Sequence, residues 1–196
     1  NASIDFAEVE KSYFAGALSL QVIDNLLSES CLAAMNKFLV ESTIWKVPYE
    51  GEYMGTFVEN GVFAPLVAQL AQDLQSAMPN VLGMHSLRKV WAFKYLPDAP
   101  GIGLHGDDAA VSVNLWITPD AARMPQSDGG LLFWDTPAPA DWDFAAINHS
   151  DSKRLMEDYL HDSGASTVAV PYQANRAALF CSDLFHEGTS VAFRDS

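Results

Sequence analysis

The chain has 196 residues, 49% of them hydrophobic, so it can bury one full core without disulfides or a structural metal. Its formal net charge of −14 repels phosphate backbones and anionic lipids, and no apolar run approaches the roughly 20 residues of a membrane span. Cys31 and Cys181 lie far apart in sequence and form no C-x-x-C pair, so neither a zinc ribbon nor a disulfide framework is indicated. We expect one cytoplasmic domain that binds neither nucleic acid nor membranes; the oligomeric state stays unknown.

The N-terminal part of the chain is predicted to supply supporting helices. Residues 17–27 read as a strand running into a turn, and Ser28 or Ser30 can cap the helix that follows. A second helix is predicted over 63–78, where leucines recur at helical spacing and Pro79 ends the pattern.

Further along, the pattern changes to short apolar stretches separated by glycine, proline and aspartate. In chain order, the candidate strands cover residues 87–96, 111–118, 131–134, 166–172, 176–182 and 190–194, with a short helix expected over 150–161. Strands spaced in this way are typical of a sandwich or barrel. We therefore predict a mainly β domain over 1–196, with helical support over 1–85 and a β core over 86–196.

The stretch LHGDDAAVSVNLW, residues 104–116, places a histidine and two aspartates before an alternating strand. In extended backbone, residues two apart share a face, so His105 and Asp107 converge while Asp108 points away. One imidazole and one carboxylate supply two metal ligands, and a second histidine would complete a set that leaves the opposite face open. A polar turn in front of a strand is the structural alternative.

Four other histidines can supply the third ligand: His85, His149, His161 and His186. His186 is preferred because it lies in ALFCSDLFHEGTSVAFR, which reads as an apolar strand, a polar turn and another apolar strand. There the chain can return beside its earlier strands.

The ordered set of His105-Gly106-Asp107, His186 and Arg194 resembles the HxD…H…R pattern of the iron(II)/2-oxoglutarate-dependent dioxygenases, particularly the prolyl-hydroxylase-like branch. The resemblance covers roughly residues 87–194. It implies a double-stranded β-helix, or jelly roll, whose two histidines and aspartate hold iron(II), with 2-oxoglutarate and O₂ as co-substrates. Related halogenases replace the carboxylate by a small residue, so the retained Asp107 favours hydroxylation.

The resemblance also gives roles to basic and aromatic side chains. Arg194 matches the residue that holds the far carboxylate of 2-oxoglutarate, and its even separation from His186 would put both on one face of an unbroken strand. Arg176 is the rival for that carboxylate and a candidate pocket residue. Tyr95 stands ten residues before His105, where prolyl-hydroxylase-like proteins often carry a tyrosine that contacts the co-substrate.

The strand at 111–118 has two different faces. Alternation puts Ser112, Asn114 and Trp116 on one side and apolar residues on the other. We expect the polar side to line the pocket, with Asn114 and Trp116 contacting co-substrate or substrate. Trp116, like Tyr95, can instead be an ordinary core aromatic residue.

Two other functions remain open at this point. One is a cupin-like metal enzyme that uses the same three ligands without a keto acid, and the other is a non-catalytic jelly roll that binds a metal or another ligand. Because the acidic chain disfavours nucleic acid, the substrate is expected to be a small molecule or a protein side chain, and the sequence does not rank these.

Overall fold

The computed structural model describes residues 4–96, 99–124, 127, 129–143, 148 and 152–194. Within them lie four α-helices: α1 (Phe6–Ala15), α2 (Glu29–Glu41), α3 (Pro65–Ala77) and α4 (Lys153–Asp162). The strands are β1 (Leu20–Ile23), β2 (Val47–Tyr49), β3 (Tyr53–Phe57), β4 (Trp91–Tyr95), β5 (Val111–Leu115), β6 (Gly130–Pro137), β7 (Thr167–Pro171), β8 (Ala177–Cys181) and β9 (Leu184–Thr189). No helix in this described part combines the length and apolar character needed to cross a bilayer.

The strands form three antiparallel sheets of three strands each, in the orders β1-β8-β5, β2-β3-β4 and β7-β6-β9. The prediction of a mainly β protein with supporting helices is confirmed. In two of the sheets, strands far apart in sequence pair with each other, β1 with β8 and β6 with β9. These pairings bring distant parts of the chain to one interior.

An apolar layer joins the β1-β8-β5 sheet to the β7-β6-β9 sheet. Its buried members are Phe133, Val170, Ala178, Phe180 and Leu184. The rings of Phe133 and Phe180, from different sheets, lie 4.9 Å apart in an edge-to-face arrangement. Burying each such side chain stabilises the fold by about 1.5–3 kcal/mol, so this layer fixes how the two sheets face each other.

The first helices pack on the other face of β8. Ala177 and Leu179 alternate with the residues of the interior layer and contact Tyr13 of α1, beside Met78 and Val81. Local sequence explains where the helices begin: Asp5 and Ser28 accept backbone hydrogen bonds at the starts of α1 and α2, and α3 begins at Pro65.

Helix α4 packs elsewhere, against the segment in front of β5. Met156 and Leu160 on its apolar side are buried against Leu104 and Phe185. Leu104 precedes His105 and Phe185 precedes His186, so α4 packs directly behind both histidine-bearing segments.

Two features differ from the predictions. β2 and β3 lie in the part expected to be helical, because a strand of three residues and one containing Gly55 carry little periodic signal. The predicted strand 190–194 is absent, and the chain there makes only an isolated bridge between Arg123 and Phe193. The strand is instead β9, whose polar His186 and Glu187 made it read as a turn.

Candidate metal centre

His105 and His186 face each other on adjacent chain segments. Each backbone N–H donates to the carbonyl of the other residue, at 3.0 and 2.9 Å, and the two imidazole centroids lie 4.2 Å apart. This isolated bridge holds the segment before β5 against β9. Both imidazoles therefore enter the same space.

Asp107 completes the cluster. Its Oδ1 lies 4.0 Å from His105 Nε2 and its Oδ2 lies 3.9 Å from His186 Nε2. One potential ligand atom from each of the three residues falls within 4.8 Å of the others, and the described residues contain no second group of this kind. The side chains of His105, Asp107 and His186 are 27%, 10% and 5% exposed, so only the first opens toward solvent.

Backbone carbonyls orient both imidazoles. His105 Nδ1 lies 2.7 Å from the carbonyl oxygen of Gly103, and His186 Nδ1 lies 3.0 Å from that of Leu184. A carbonyl oxygen can only accept, so each Nδ1 carries the proton and donates it. In a neutral imidazole this tautomer leaves the lone pair on Nε2, and in both residues Nε2 faces Asp107, as a metal ligand would.

Burial keeps His186 neutral. Its ring packs against Phe133 and Phe180, at centroid distances of 5.6 and 4.9 Å. This burial lowers the pKa of His186 to about 4, with nearby His105 acting in the same direction and the Asp107 carboxylate opposing it. At neutral pH the imidazole is a ready ligand.

Two glycines allow the close approach behind this bridge. The Gly188 N–H donates to the Ile102 carbonyl at 2.7 Å, and a Cβ at Gly101 would collide with the Gly188 carbonyl oxygen. Gly101 also has a φ of +89°, in the region that L side chains rarely adopt. Gly101 thus lets the chain approach β9 before reaching His105.

We expect Gly101→Ala to destabilise the protein by about 2 kcal/mol or more, since both backbone strain and a steric clash result. Thermal unfolding should show a fall in Tm of roughly 4 °C or more. Gly103→Ala is the matched control, because a Cβ at Gly103 would meet nothing within 4 Å. Equal Tm values for the two variants would contradict this account.

Asn148 holds the peptide between the two predicted ligands. Its Oδ1 accepts from the Gly106 N–H at 3.2 Å, and its Nδ2 donates to the Gly106 carbonyl at 2.8 Å. Sequence reasoning missed this residue because a lone asparagine 42 positions away from its partner carries no local signal.

The polar side of β5 begins beside the cluster of His105, Asp107 and His186. Ser112 donates to Asp107 Oδ2 at 2.6 Å, which places this side against the candidate site. The Asn114 Nδ2 is buried and has no hydrogen-bond partner among the described residues. An orphaned donor in such a position suits a ligand acceptor. Trp116 packs on the interior layer, with its ring 5.9 Å from that of Tyr172.

Tyr95 lies at the end of β4 in a cluster of aromatic side chains. Its ring is 5.6 Å from that of Tyr53, and burial raises the pKa of its phenol. These contacts belong to the β2-β3-β4 sheet, so the co-substrate role of Tyr95 stays a prediction.

The structure argues against the pocket role predicted for Arg176. Its Nε and Nη2 contact the two carboxylate oxygens of Asp24 at 2.6 and 3.0 Å, while Nη1 donates to the Pro171 carbonyl. A guanidinium already held by a bidentate carboxylate is not available for a second one. Arg176 is better described as forming a structural ion pair that joins the residue before β8 to the residue after β1.

Arg194, the residue preferred from the sequence, shares one short ribbon with Arg123, which the structure adds as a candidate carboxylate partner. The backbone N–H of Arg194 donates to the carbonyl of Ala122 at 2.8 Å, and Arg194 is exposed. Arg123, which follows Ala122, is half-buried. The Arg123 Nη1 donates to the Ser127 carbonyl, while its Nε is buried without a partner in the described part of the chain. Because β9 ends at Thr189, the even spacing from His186 no longer supports Arg194.

The rival histidines lie away from the cluster. The His161 side chain is 88% exposed and His85 is also exposed. His149 lies outside the described residues.

Two imidazoles and one carboxylate are a donor set that suits non-heme iron(II) and related divalent metals, so the residues present fit such an ion.

Solved structures of the same fold were found by comparison. The chain matches SnoK, a non-heme alpha-ketoglutarate-dependent carbocyclase from nogalamycin biosynthesis, with a TM-score of 0.72 and 16% identity over 100% of this chain and 83% of that one. It matches a Pseudomonas putida prolyl-4-hydroxylase with a TM-score of 0.63 and 14% identity, over 97% and 94% of the two chains. The chain has the fold of the 2-oxoglutarate-dependent oxygenases. The predicted resemblance is confirmed at this level.

A further structure of this fold carries ligands. HygX from Streptomyces hygroscopicus, with nickel, 2-oxoglutarate and hygromycin B bound, matches with a TM-score of 0.54 and 15% identity over 94% of this chain and 82% of that one. No protein-family model matches the chain, and no curated protein sequence does. At these identities of 14–16% the comparisons establish the fold.

Proposed function

We propose that the protein is an iron(II)- and 2-oxoglutarate-dependent oxygenase that hydroxylates a C–H bond. The observation that carries this proposal is the convergence of His105, Asp107 and His186, with Nε2 of both imidazoles facing the Asp107 carboxylate. Strands β4 to β9 are proposed to form a jelly-roll core over residues 86–196 of one domain, with the first three helices and strands β1 to β3 packed around it.

In this proposal the three side chains hold the iron, and each has a separate contribution. His186 provides a buried, neutral ligand, His105 a more exposed one, and Asp107 a negative charge that offsets part of the metal charge. Iron(II) in such a set, with 2-oxoglutarate and O₂, supplies oxidation in which the keto acid becomes succinate and CO₂ while C–H becomes C–OH. No further protein acid or base is required.

The chain's own residues would bind the keto acid beside the metal. The Asn114 Nδ2, two residues beyond Ser112 on the polar side of β5, has no protein acceptor among the described residues, so it could donate a hydrogen bond to the bound keto acid. For the far carboxylate, the sequence favours Arg194 and the buried, unpartnered Nε favours Arg123. A guanidinium suits this task because it can hold a carboxylate by two parallel hydrogen bonds.

The substrate class is a small molecule or a protein side chain. Both possibilities have support among structures of the same fold, since HygX was solved with hygromycin B bound and another is a prolyl-4-hydroxylase. The net charge of −14 disfavours nucleic acid as a substrate.

An anaerobic visible spectrum tests the proposal. Metal-free protein receives iron(II) and then 2-oxoglutarate, beside Arg123→Ala, Arg194→Ala and, as a control, Arg154→Ala, whose side chain on α4 is 89% exposed. We expect a weak charge-transfer band that needs both additions. Removing the arginine that holds the carboxylate should weaken 2-oxoglutarate binding about 10-fold or more, as loss of a charged hydrogen-bond pair does.

Other outcomes would contradict specific parts of the proposal. Iron binding without any response to 2-oxoglutarate would favour the cupin-like or non-catalytic alternatives. No iron binding at all would remove the metal assignment. Normal 2-oxoglutarate affinity in both arginine variants would show that the carboxylate is held elsewhere.

A further inference from the structure

We propose that Ser112, itself held by Ser182, is a positioning residue that fixes the rotation of the Asp107 carboxylate so that Oδ1 is the oxygen offered to the metal. This inference rests on the proposed metal site. It gives a positioning role to two buried serines that are not part of the His-x-Asp…His motif.

The two oxygens of Asp107 are not equivalent. Oδ2 accepts a hydrogen bond of 2.6 Å from the Ser112 hydroxyl, which is short and charge-assisted. Among the described residues no donor forms a hydrogen bond to Oδ1, which lies 4.0 Å from His105 Nε2, whereas Oδ2 lies 3.9 Å from His186 Nε2. An oxygen that already accepts a strong hydrogen bond is the weaker metal ligand, so Oδ1 is the better donor.

The direction of the serine hydrogen bonds follows from proton count. A carboxylate can only accept, so the single hydroxyl proton of Ser112 goes to Asp107. Ser182 Oγ lies 2.9 Å from Ser112 Oγ, and the proton in that contact must come from Ser182. The result is a chain of two hydrogen bonds with a fixed direction, in which Ser182 donates to Ser112 and Ser112 donates to Asp107.

Burial of both serines and the backbone hydrogen bonds of Ser182 hold this chain of hydrogen bonds in place. Ser182 is 0% exposed and Ser112 is 9% exposed, so water has little access to either hydroxyl. The Asp107 N–H donates to the Ser182 carbonyl at 3.3 Å, and the Ser182 N–H donates to the Ala110 carbonyl at 3.2 Å. Ser182 therefore contacts Asp107 by two routes, one through its carbonyl and one through Ser112.

The functional consequence is a carboxylate that cannot turn freely. Without the Ser112 hydroxyl, Asp107 could rotate or offer both oxygens to the metal. A second carboxylate oxygen on the metal would occupy a position that small molecules need. Outer partners of this kind typically change metal affinity by about 10- to 100-fold.

Titration of the metal-free full chain with cobalt(II) tests the inference, with the visible spectrum read at each addition. Ser112→Ala should lower cobalt(II) affinity about 10- to 100-fold and change the spectrum at saturating metal. Ser112→Thr, which keeps the hydroxyl, should restore the wild-type spectrum. Ser182→Ala should shift both readouts in the same direction but less. Ser76→Ala, at an exposed serine on α3, is the matched control.

The saturated spectrum separates positioning from a general structural role. A merely destabilised protein would bind less metal, but its filled site would show the wild-type spectrum. Wild-type affinity and spectrum in Ser112→Ala would overturn the inference while leaving the metal site standing, and if that variant does not fold, an unchanged Ser182→Ala would do the same. Absence of cobalt(II) binding by the wild-type protein would overturn the proposed function together with the inference.

Discussion

Asp107→Ala is expected to lower the affinity for iron(II) or cobalt(II) by at least about 100-fold. Loss of an outer partner alone typically costs 10- to 100-fold, and this substitution removes a ligand together with the only negative charge in the triad. Isothermal titration of the metal-free protein under argon measures the change directly.

A neighbouring residue provides the control for that experiment. The Asp108 side chain is 68% exposed and pairs with Lys89 at 3.1 Å, so Asp108→Ala removes the same charge one residue away without touching the cluster. Its affinity should stay within about 2-fold of wild type, since exposed ion pairs contribute little. His105→Ala should resemble Asp107→Ala, and His161→Ala should resemble the wild type. Similar losses in Asp107→Ala and Asp108→Ala would point to a general effect of surface charge.

The metal-free protein should lose about 2–3 kcal/mol of unfolding free energy through His186 as the pH falls from about 6.5 to about 4. Burial between Phe133 and Phe180 lowers the pKa of this imidazole to about 4, whereas in the unfolded chain it titrates near its ordinary value of 6.5. Above that value the group is neutral in both states. Below it, only the unfolded chain takes up the proton, so acid favours unfolding.

Denaturant unfolding at pH 7, 5.5 and 4.5 measures this contribution. His186→Gln should be less stable at pH 7 but should lose less stability on acidification than the wild type, because the buried titrating group is gone. His161→Gln is the control at an 88% exposed histidine. Parallel pH profiles for wild type and His186→Gln would contradict the prediction.

The sequence predicted the apolar parts of this fold better than the polar ones. β5, β7 and β8 are apolar stretches of ordinary length, and the helix start at Ser28 followed from its capping side chain. β9 was missed because the residues after Leu184 and Phe185 are polar or small, so a strand that carries His186 and Glu187 does not look like one in the sequence. A pattern based on apolarity fails where function places polar groups inside.

In the candidate site, the residues placed by local spacing were predicted, and those placed by long-range contacts were not. His105 and Asp107 were predicted to converge because spacing of two in extended backbone is a local property. The contacts of Ser182 and Asn148 join segments 42 or more residues apart, and the burial of the Arg123 Nε is defined only by the folded chain, so the sequence did not predict them. The preference for Arg194 depended on an unbroken strand that ends at Thr189.

The bridge between His105 and His186 joins two points about 80 residues apart in the chain. A metal ion bound there would act as a removable cross-link that closes this long loop. Ligand binding to the folded state alone adds about 2.7 kcal/mol of stability when the free metal is 100 times its Kd. The supply of metal in the cell would then set the lifetime of the folded chain as well as its activity, and protein starved of metal would be the form most readily degraded.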